Sequence, residues 1–158
     1  MKLVSNTGGR LVFKMTENEH ETVLRLLGMH THLPLGGRLL SKEESQHSKL
    51  EAAQEDLQLA IHDHRKELYA AVESLLNNPA LCIPDPKGFT LALEHNHIEM
   101  MLQAVNGIRI GAWEKMGAPD FESGVKPEMN PLTEACVSII QVTDLLLAQL
   151  LRGLESKS

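Results

Sequence analysis

The stretch PLTEACVSIIQVTDLLLAQLLRGL, residues 131–154, predicts one strongly apolar helix. Asn130 before it is a favourable N-cap residue, and Pro131 suits the first helical position. Apolar and small side chains recur along it at three- and four-residue steps: Cys136, Ile139, Ile140, Thr143, Leu146, Leu147, Leu150 and Leu151. The sequence therefore predicts a helix that packs against a core.

Two further apolar residues of this helix, Val142 and Leu145, lie outside that stripe. A helix that is apolar over so much of its circumference is usually buried on more than one side. It is then either the central helix of a bundle or a subunit interface. In the second case Val142, Leu145 and Leu146 are the interface candidates, and a homodimer is expected.

Three more helices are predicted over residues 16–33, 42–77 and 94–117, where apolar residues recur at helical spacing. Thr16 and Ser41 each begin a capping-box pattern, with a glutamate three residues later. Proline or glycine follows each predicted helix end. These signals favour a mostly α fold of about four long helices in a bundle.

A β-hairpin is predicted over residues 1–15, because two apolar runs flank an Asn-Thr-Gly-Gly turn signal. Two strands alone are only marginally stable, so a third strand is needed, and residues 90–93 read as one. A faint internal repeat points the same way. At a shift of 78 residues, Asn18, Glu21 and Leu24 coincide with Asn96, Glu99 and Leu102. If that repeat is real, the 90–93 strand pairs beside the hairpin.

The composition is that of one globular domain, 1–158. The chain has 42% hydrophobic and 23% charged residues, close to the average for folded proteins. Only 3% of the residues are aromatic, so aliphatic side chains must supply most of the packing, which favours helical cores.

The net charge of -6 and the scattered lysines and arginines disfavour direct binding of nucleic acid. The most continuous apolar run, residues 145–148, is broken at Gln149 and is shorter than the roughly 20 residues of a membrane span. The first ten residues lack the apolar region of a signal peptide. We therefore expect a cytoplasmic protein that does not enter a membrane.

The two cysteines, Cys82 and Cys136, are far apart and form no CxxC pattern, so reduced thiols are expected. Cys136 falls on the apolar face of the last helix and is expected to pack as a small hydrophobic residue. Cys82 falls in a proline-rich loop and is expected to be more open, so a redox-sensing role is one alternative.

The eight histidines include three His-x-His spacings, but in a helix such a spacing separates the two rings by about 200°. His95 and Glu99, one turn apart, are better placed as weak candidates for a metal site, although zinc needs further ligands. Solvated or capping histidines are the favoured interpretation. Nucleophile-elbow, phosphate-loop and dinucleotide motifs are absent, so no catalytic residue and no cofactor are predicted.

Residues 102–113 carry Gly107 and Gly111, one turn apart in a predicted helix. Each costs about 1 kcal/mol of helix propensity relative to alanine, so close approach of another backbone is expected there. Asn106 and Arg109 are also one turn apart and form the candidate polar site. A half-buried arginine paired with a carboxylate or a helix end is favoured over a ligand-binding arginine.

This segment resembles a family of small helical proteins, found mainly in actinobacteria and catalogued as domain of unknown function 2017. The resemblance covers residues 10–27, 102–117 and 144–154, about half of the chain. Its most specific part is a Leu-x-x-Leu-Asn-x-Leu-Arg pattern matched by Leu102, Val105, Asn106, Ile108 and Arg109. The chain departs from the family at residues 113–116, where Trp-Glu-Lys-Met replaces Gly-Thr-Arg-Leu.

The resemblance implies a compact α-rich domain without known catalytic residues, encoded in many genomes beside an adaptor of the Clp protease. The leading hypothesis is therefore a non-enzymatic regulatory or proteolysis-adaptor-type protein that acts by binding proteins. A small-ligand- or metal-binding protein or enzyme that uses Arg109 and nearby histidines is one alternative. A cysteine-based redox-responsive regulator is the other.

Overall fold

The computed structural model describes residues 1–7, 9–34, 48–120 and 128–155, and for residues 48–55 the backbone only. The capping box predicted at Ser41 lies outside these residues. The order of elements is two strands followed by two helices, and this order then occurs a second time.

Four strands form one antiparallel sheet in the order β1-β2-β4-β3. Their bounds are β1 Lys2–Thr7, β2 Arg10–Met15, β3 Cys82–Asp85 and β4 Gly88–Glu94. The predicted hairpin is confirmed as β1 and β2, and β4 is the third strand, because it pairs directly with β2. β3 was predicted to be loop because of its prolines. It is an edge strand, where a missing N–H such as that of Pro84 is tolerated.

The four helices make the fold mostly helical, as predicted. Their bounds are α1 Glu17–Gly28, α2 Ser48–Leu76, α3 His95–Lys115 and α4 Pro131–Glu155. The first helix ends earlier than expected, because Met29–His32 form a short 3-10 turn. A bundle of long helices is not confirmed, since the helices share their core with the four-stranded sheet.

The predicted caps explain where two helices begin. The Thr16 hydroxyl accepts a hydrogen bond from the Glu19 N–H at 3.2 Å, and the Glu19 carboxylate accepts one from the Thr16 N–H at 2.8 Å. At α4, the Asn130 side-chain oxygen accepts the Thr133 N–H at 3.0 Å. Both caps satisfy donors that a helix terminus otherwise leaves unpaired.

The internal repeat has a structural counterpart at the centre of the sheet. A shift of 78 residues carries β2 onto β4 and the N-cap Thr16 onto the N-cap Glu94. Phe13 pairs with Leu91 across the two strands, and these residues are themselves 78 positions apart. Phe13 and Leu91 are therefore equivalent residues of the repeat. Two equivalent residues can pair across antiparallel strands only if a local twofold axis passes between them. The two halves of the chain are thus related by a local twofold axis at the β2–β4 pair.

The sheet buries one of its faces under the helices. Leu11, Phe13, Leu91 and Leu93 on the two central strands are fully buried. α4 crosses this face so closely that a Cβ on Gly153 would lie 2.7 Å from Leu11 Cδ2. The buried cluster includes residues from all four helices.

Candidate interaction surface on the last helix

The inner face of α4 carries the burial that the sequence predicts. Thr143 and Leu150 have no exposed surface, and Leu146 is 9% exposed. Thr143 keeps its hydroxyl satisfied by donating to the Ile139 carbonyl at 2.9 Å. This face packs against α3 and β1, so one side of the helix is core.

The outer face of α4 is uncovered in the part of the chain that the structure describes. Leu145 is 68% exposed on this face, whereas Leu132 and Leu151, each nearly half exposed, lie at other angles around the helix. Leu151 was predicted on the buried stripe, but it points outward, because that stripe is wider than the surface that α3 and β1 can cover. Among the described residues, burial of α4 on more than one side is not observed, and the interface interpretation of this helix stays a prediction.

A groove of about 340 Å³ runs between α1 and α4. It brings all three predicted interface residues together, because Val142, Leu145 and Leu146 line it. The remaining lining residues are Met1, Asn18, Glu19, Thr22, Val23 and Gln149. Apolar side chains are thus accompanied by amide and hydroxyl groups that can donate or accept hydrogen bonds.

Glu19 is the acidic group of this groove. Burial raises the pKa of its carboxyl, but hydrogen bonds from the Met1 amino group and from Thr16 outweigh that effect, so the pKa lies below its ordinary value. The same contact with the Met1 amino group is an ion pair. Glu19 therefore stays ionised, with its charge balanced locally.

Arg109 and Asn106, the candidate polar site, lie beside this surface on α3. The Arg109 Nε donates to the Asp144 carboxylate at 2.5 Å, which confirms the carboxylate pairing and joins α3 to α4. The side chains of Arg109 and Asp144 are 43% and 52% exposed, so the pair is solvated. Asn106 is exposed, and neither Asn106 nor Arg109 lines the groove.

The two glycines of α3 are explained by close neighbours. A Cβ on Gly111 would lie 3.2 Å from the Pro34 carbonyl oxygen, the backbone approach that the sequence predicts. At Gly107 the neighbour is instead a side chain, because a Cβ would lie 2.7 Å from the Tyr69 hydroxyl. Gly107 therefore lets α2 approach α3.

Burial raises the pKa of the Tyr69 phenol despite the opposing charge of Arg65.

Three of the histidines that the structure describes have packing or capping roles. His97 Nδ1 accepts the Glu94 N–H at 3.3 Å at the start of α3, which confirms a capping histidine. His20 stacks on Phe89 and His30 on Tyr69, with ring centroids 4.1 and 4.4 Å apart. His95 and Glu99 are exposed, and among the described residues no three His, Cys, Asp or Glu side chains are grouped to hold a metal ion.

The placement predicted for Cys82 was wrong. Cys82 lies on β3 and is only 4% exposed, because β4 and the core cover it. Cys136 is buried as expected. Burial raises the pKa of both thiols, which lowers the thiolate fraction that a redox sensor needs.

α4 has the length and mean hydropathy of a helix that could cross a membrane. The apolar run at residues 145–148 is too short for a membrane span. The mean hydropathy is taken over 18 residues and therefore includes both faces of the helix. One such helix is weak evidence for a membrane span, because core helices of soluble proteins, which are mostly buried, meet the same criterion. In α4, 28% of this window is buried.

Sequence reasoning missed the groove and the outward direction of Leu151. The only sequence signal for either was the excess of apolar residues on α4. Comparison of the chain with protein-family models, with curated proteins and with solved structures found no match.

Proposed function

We propose that this chain is a non-enzymatic interaction protein of the cytoplasm, with a regulatory or proteolysis-adaptor-type role, that binds another protein through the outer face of α4. This face, called the α4 surface below, comprises Leu145 and the adjoining groove. The observation that carries the proposal is the 68% exposure of Leu145 beside that groove.

A partner on the α4 surface would cover apolar side chains that are now exposed. Complete burial of one leucine side chain contributes about 1.5–3 kcal/mol. Leu145 still exposes much of the apolar surface that a partner could bury. Asn18, Thr22 and Gln149 on the groove add polar groups that can select a partner by hydrogen bonding.

The α4 surface is held in place by packing against α3. α3 and α4 pack along their length as an antiparallel pair, and Arg109 and Asp144 tie them together. A partner would thus meet a preformed helix face and would pay little ordering cost. The regulatory or adaptor-type role is proposed from the family resemblance of residues 10–27, 102–117 and 144–154, and it stays a prediction.

The binding role can be tested by placing a photo-crosslinking amino acid at Leu145 and, as the matched control, at Leu59. Leu59 is 61% exposed on α2, so the two sites differ in location but little in exposure. We expect crosslinks to protein from position 145 at a yield well above that from position 59. Equal yields, or none from either site in cells and in purified samples, would refute a protein-binding role for the α4 surface.

A further inference from the structure

The two halves of the chain have the same internal plan. Each half runs strand, strand, helix, helix, and one shift of 78 residues matches the bounds of these elements. Under this shift the end of β1 at Thr7 becomes the end of β3 at Asp85. The start of β2 likewise becomes the start of β4, and the start of α1 becomes the start of α3. Leu76, at the end of α2, becomes Leu154, one residue before the end of α4.

The two hairpins share their strand register. Two residue pairs in each hairpin coincide under the same shift: Ser5–Val12 with Ile83–Thr90, and Thr7–Arg10 with Asp85–Gly88. The register of a hairpin is set by its turn and by the face that it buries. The two halves therefore agree in their turns as well as in the order of their elements.

The caps of α1 and α3 are also equivalent. Glu19 accepts the N–H of Thr16 at 2.8 Å, and 78 residues later His97 Nδ1 accepts the N–H of Glu94 at 3.3 Å. In each helix the third residue thus reaches back to the N-cap residue, which is one half of a capping box. The same local device begins the first helix of both halves, although the side chains that form it differ.

Buried positions coincide in the two halves. Six equivalent pairs are buried on both sides: Phe13 and Leu91, Met15 and Leu93, Val23 and Met101, Leu26 and Ala104, Leu27 and Val105, and Val72 and Leu150. The residue type differs in every one of these pairs, whereas the burial is retained. Two copies of one unit would diverge in this way, because a core tolerates hydrophobic substitution when its pattern is kept.

The two halves meet as the subunits of a twofold dimer do. The sheet order β1-β2-β4-β3 reads the same from either edge when equivalent strands are exchanged. The halves also share one core, because α4 of the second half covers β2 of the first. A Cβ on Gly153 would lie 2.8 Å from Phe13 Cζ. A shared apolar core is typical of obligate dimers, whose interface resembles a domain core cut in two.

We infer that this chain is a fused twofold dimer of one ββαα unit, with the two copies at residues 2–76 and 82–155 joined through residues 77–81. The surface that each unit presents to the other is self-complementary, since Phe13 pairs with its own equivalent, Leu91. The partner that this surface fits is therefore a second unit of the same kind. Assembly of the two units is independent of the binding role proposed for the α4 surface.

Cleavage at the junction tests the assembly of the units. A protease site is inserted between Asn78 and Pro79 of the full chain, and the folded protein is cut there. We expect the two fragments to stay together as a 1:1 complex, and to reassemble after unfolding in urea and dilution, because each fragment holds a complete unit. The midpoint of urea unfolding should then rise with protein concentration, since folding has become bimolecular. Fragments that separate under native conditions overturn the inference.

The matched control moves the cut by a few residues, to the β3–β4 turn between Pro86 and Lys87. This cut leaves β3 on the first fragment, so the second fragment is no longer a complete unit. We expect the yield of reassembled complex to be at least about fivefold lower than for the cut at the junction. Circular dichroism of both variants before cleavage shows that the inserted site is accommodated. Equal reassembly after the two cuts overturns the inference.

Circular permutation gives an independent test. Residues 77–81 connect the end of α2 to the start of β3, so the twofold places the end of α4 equally close to β1. The Asn6 side chain already donates to the Gly153 carbonyl at 3.2 Å. A chain that begins at Pro79, with Ser158 joined directly to Met1, should therefore show the natural circular dichroism spectrum and a cooperative urea transition. A permuted chain without a cooperative transition overturns the inference.

Discussion

Leu145 and Leu150 are leucines on different faces of α4 with opposite surroundings. On the inner face Leu150 has no exposed surface and Gly153 touches the sheet, whereas on the outer face Leu145 is 68% exposed. The difference shows that apolar character on a helix identifies surfaces that can be covered, but does not say what covers them. The inner face is covered by this chain, and the outer face is where we place a protein partner.

The largest expected difference between the two faces is in side-chain truncation. Leu150→Ala removes contacts from a closed core and should lower the free energy of unfolding by about 2–5 kcal/mol. Leu145→Ala, on the same helix, should change it by no more than about 0.5 kcal/mol when the protein is dilute. Urea unfolding at submicromolar concentration measures both. Similar losses for the two variants would mean that the outer face is also packed within the chain.

The next effect concerns the glycine at the helix–sheet contact. In Gly153→Ala the new Cβ would lie 2.7 Å from Leu11 Cδ2 and 2.8 Å from Phe13 Cζ, so we expect a loss of about 1–3 kcal/mol.

Gly28→Ala is the matched control for that substitution. Gly28 is helical and has no atom within 4 Å of a new Cβ, so alanine should stabilise the fold by about 0.4–1 kcal/mol. Thermal unfolding should shift in opposite directions for the two variants. A gain in stability from Gly153→Ala would contradict the close packing of α4 on the sheet.

A smaller effect on the free energy of unfolding is expected from pH, and it comes from the buried cysteine thiols. Burial raises the pKa of the Cys82 thiol, so the native state holds this proton more tightly than the unfolded chain does. The resulting stability is complete below the unfolded thiol pKa of about 8.5 and is lost as pH rises through the higher folded value. Cys136 contributes in the same direction.

Urea unfolding between pH 7.5 and 9.5 measures this loss, and Cys82→Ala should show a shallower decline than the natural chain. Thiol labelling of the native protein should also be slow and should accelerate in urea. Fast labelling of native Cys82 would instead restore the redox hypothesis.

The smallest effect is expected for the ion pair at the boundary of the two faces. Arg109 and Asp144 are both about half exposed, so solvent screens their attraction. A double-mutant cycle with Arg109→Ala and Asp144→Ala should give a coupling energy of about 0.2–1 kcal/mol that decreases with salt. A coupling of several kcal/mol, insensitive to salt, would mean that a partner buries this pair.

The sequence predicted most elements for local physical reasons. The caps at Thr16 and Asn130 are patterns within four residues, so they need no knowledge of the rest of the chain. The β4 strand was also predicted from a local apolar run, and the repeat then suggested its pairing beside the hairpin. The end of α1 and the edge strand β3 were missed, since a 3-10 turn and a proline-containing edge strand depend on their neighbours.

The candidate site was predictable only in part. The sequence singled out Val142, Leu145 and Leu146, and the structure places all three on one groove. It also anticipated that Arg109 would pair with a carboxylate, but not that Asp144, 35 residues later, would supply it. Periodicity along one helix cannot indicate which distant helix comes to lie beside it.

What the sequence by itself determined is the existence of α4, its caps and its excess of apolar residues, because these are properties of one local segment. Only the tertiary structure decided that Leu150 is fully buried, that Gly153 lies against the sheet and that Leu145 is exposed. The physical reason is geometric. One flat sheet face and one neighbouring helix can cover only part of a helix circumference, and the position of α3 and β1 selects which part.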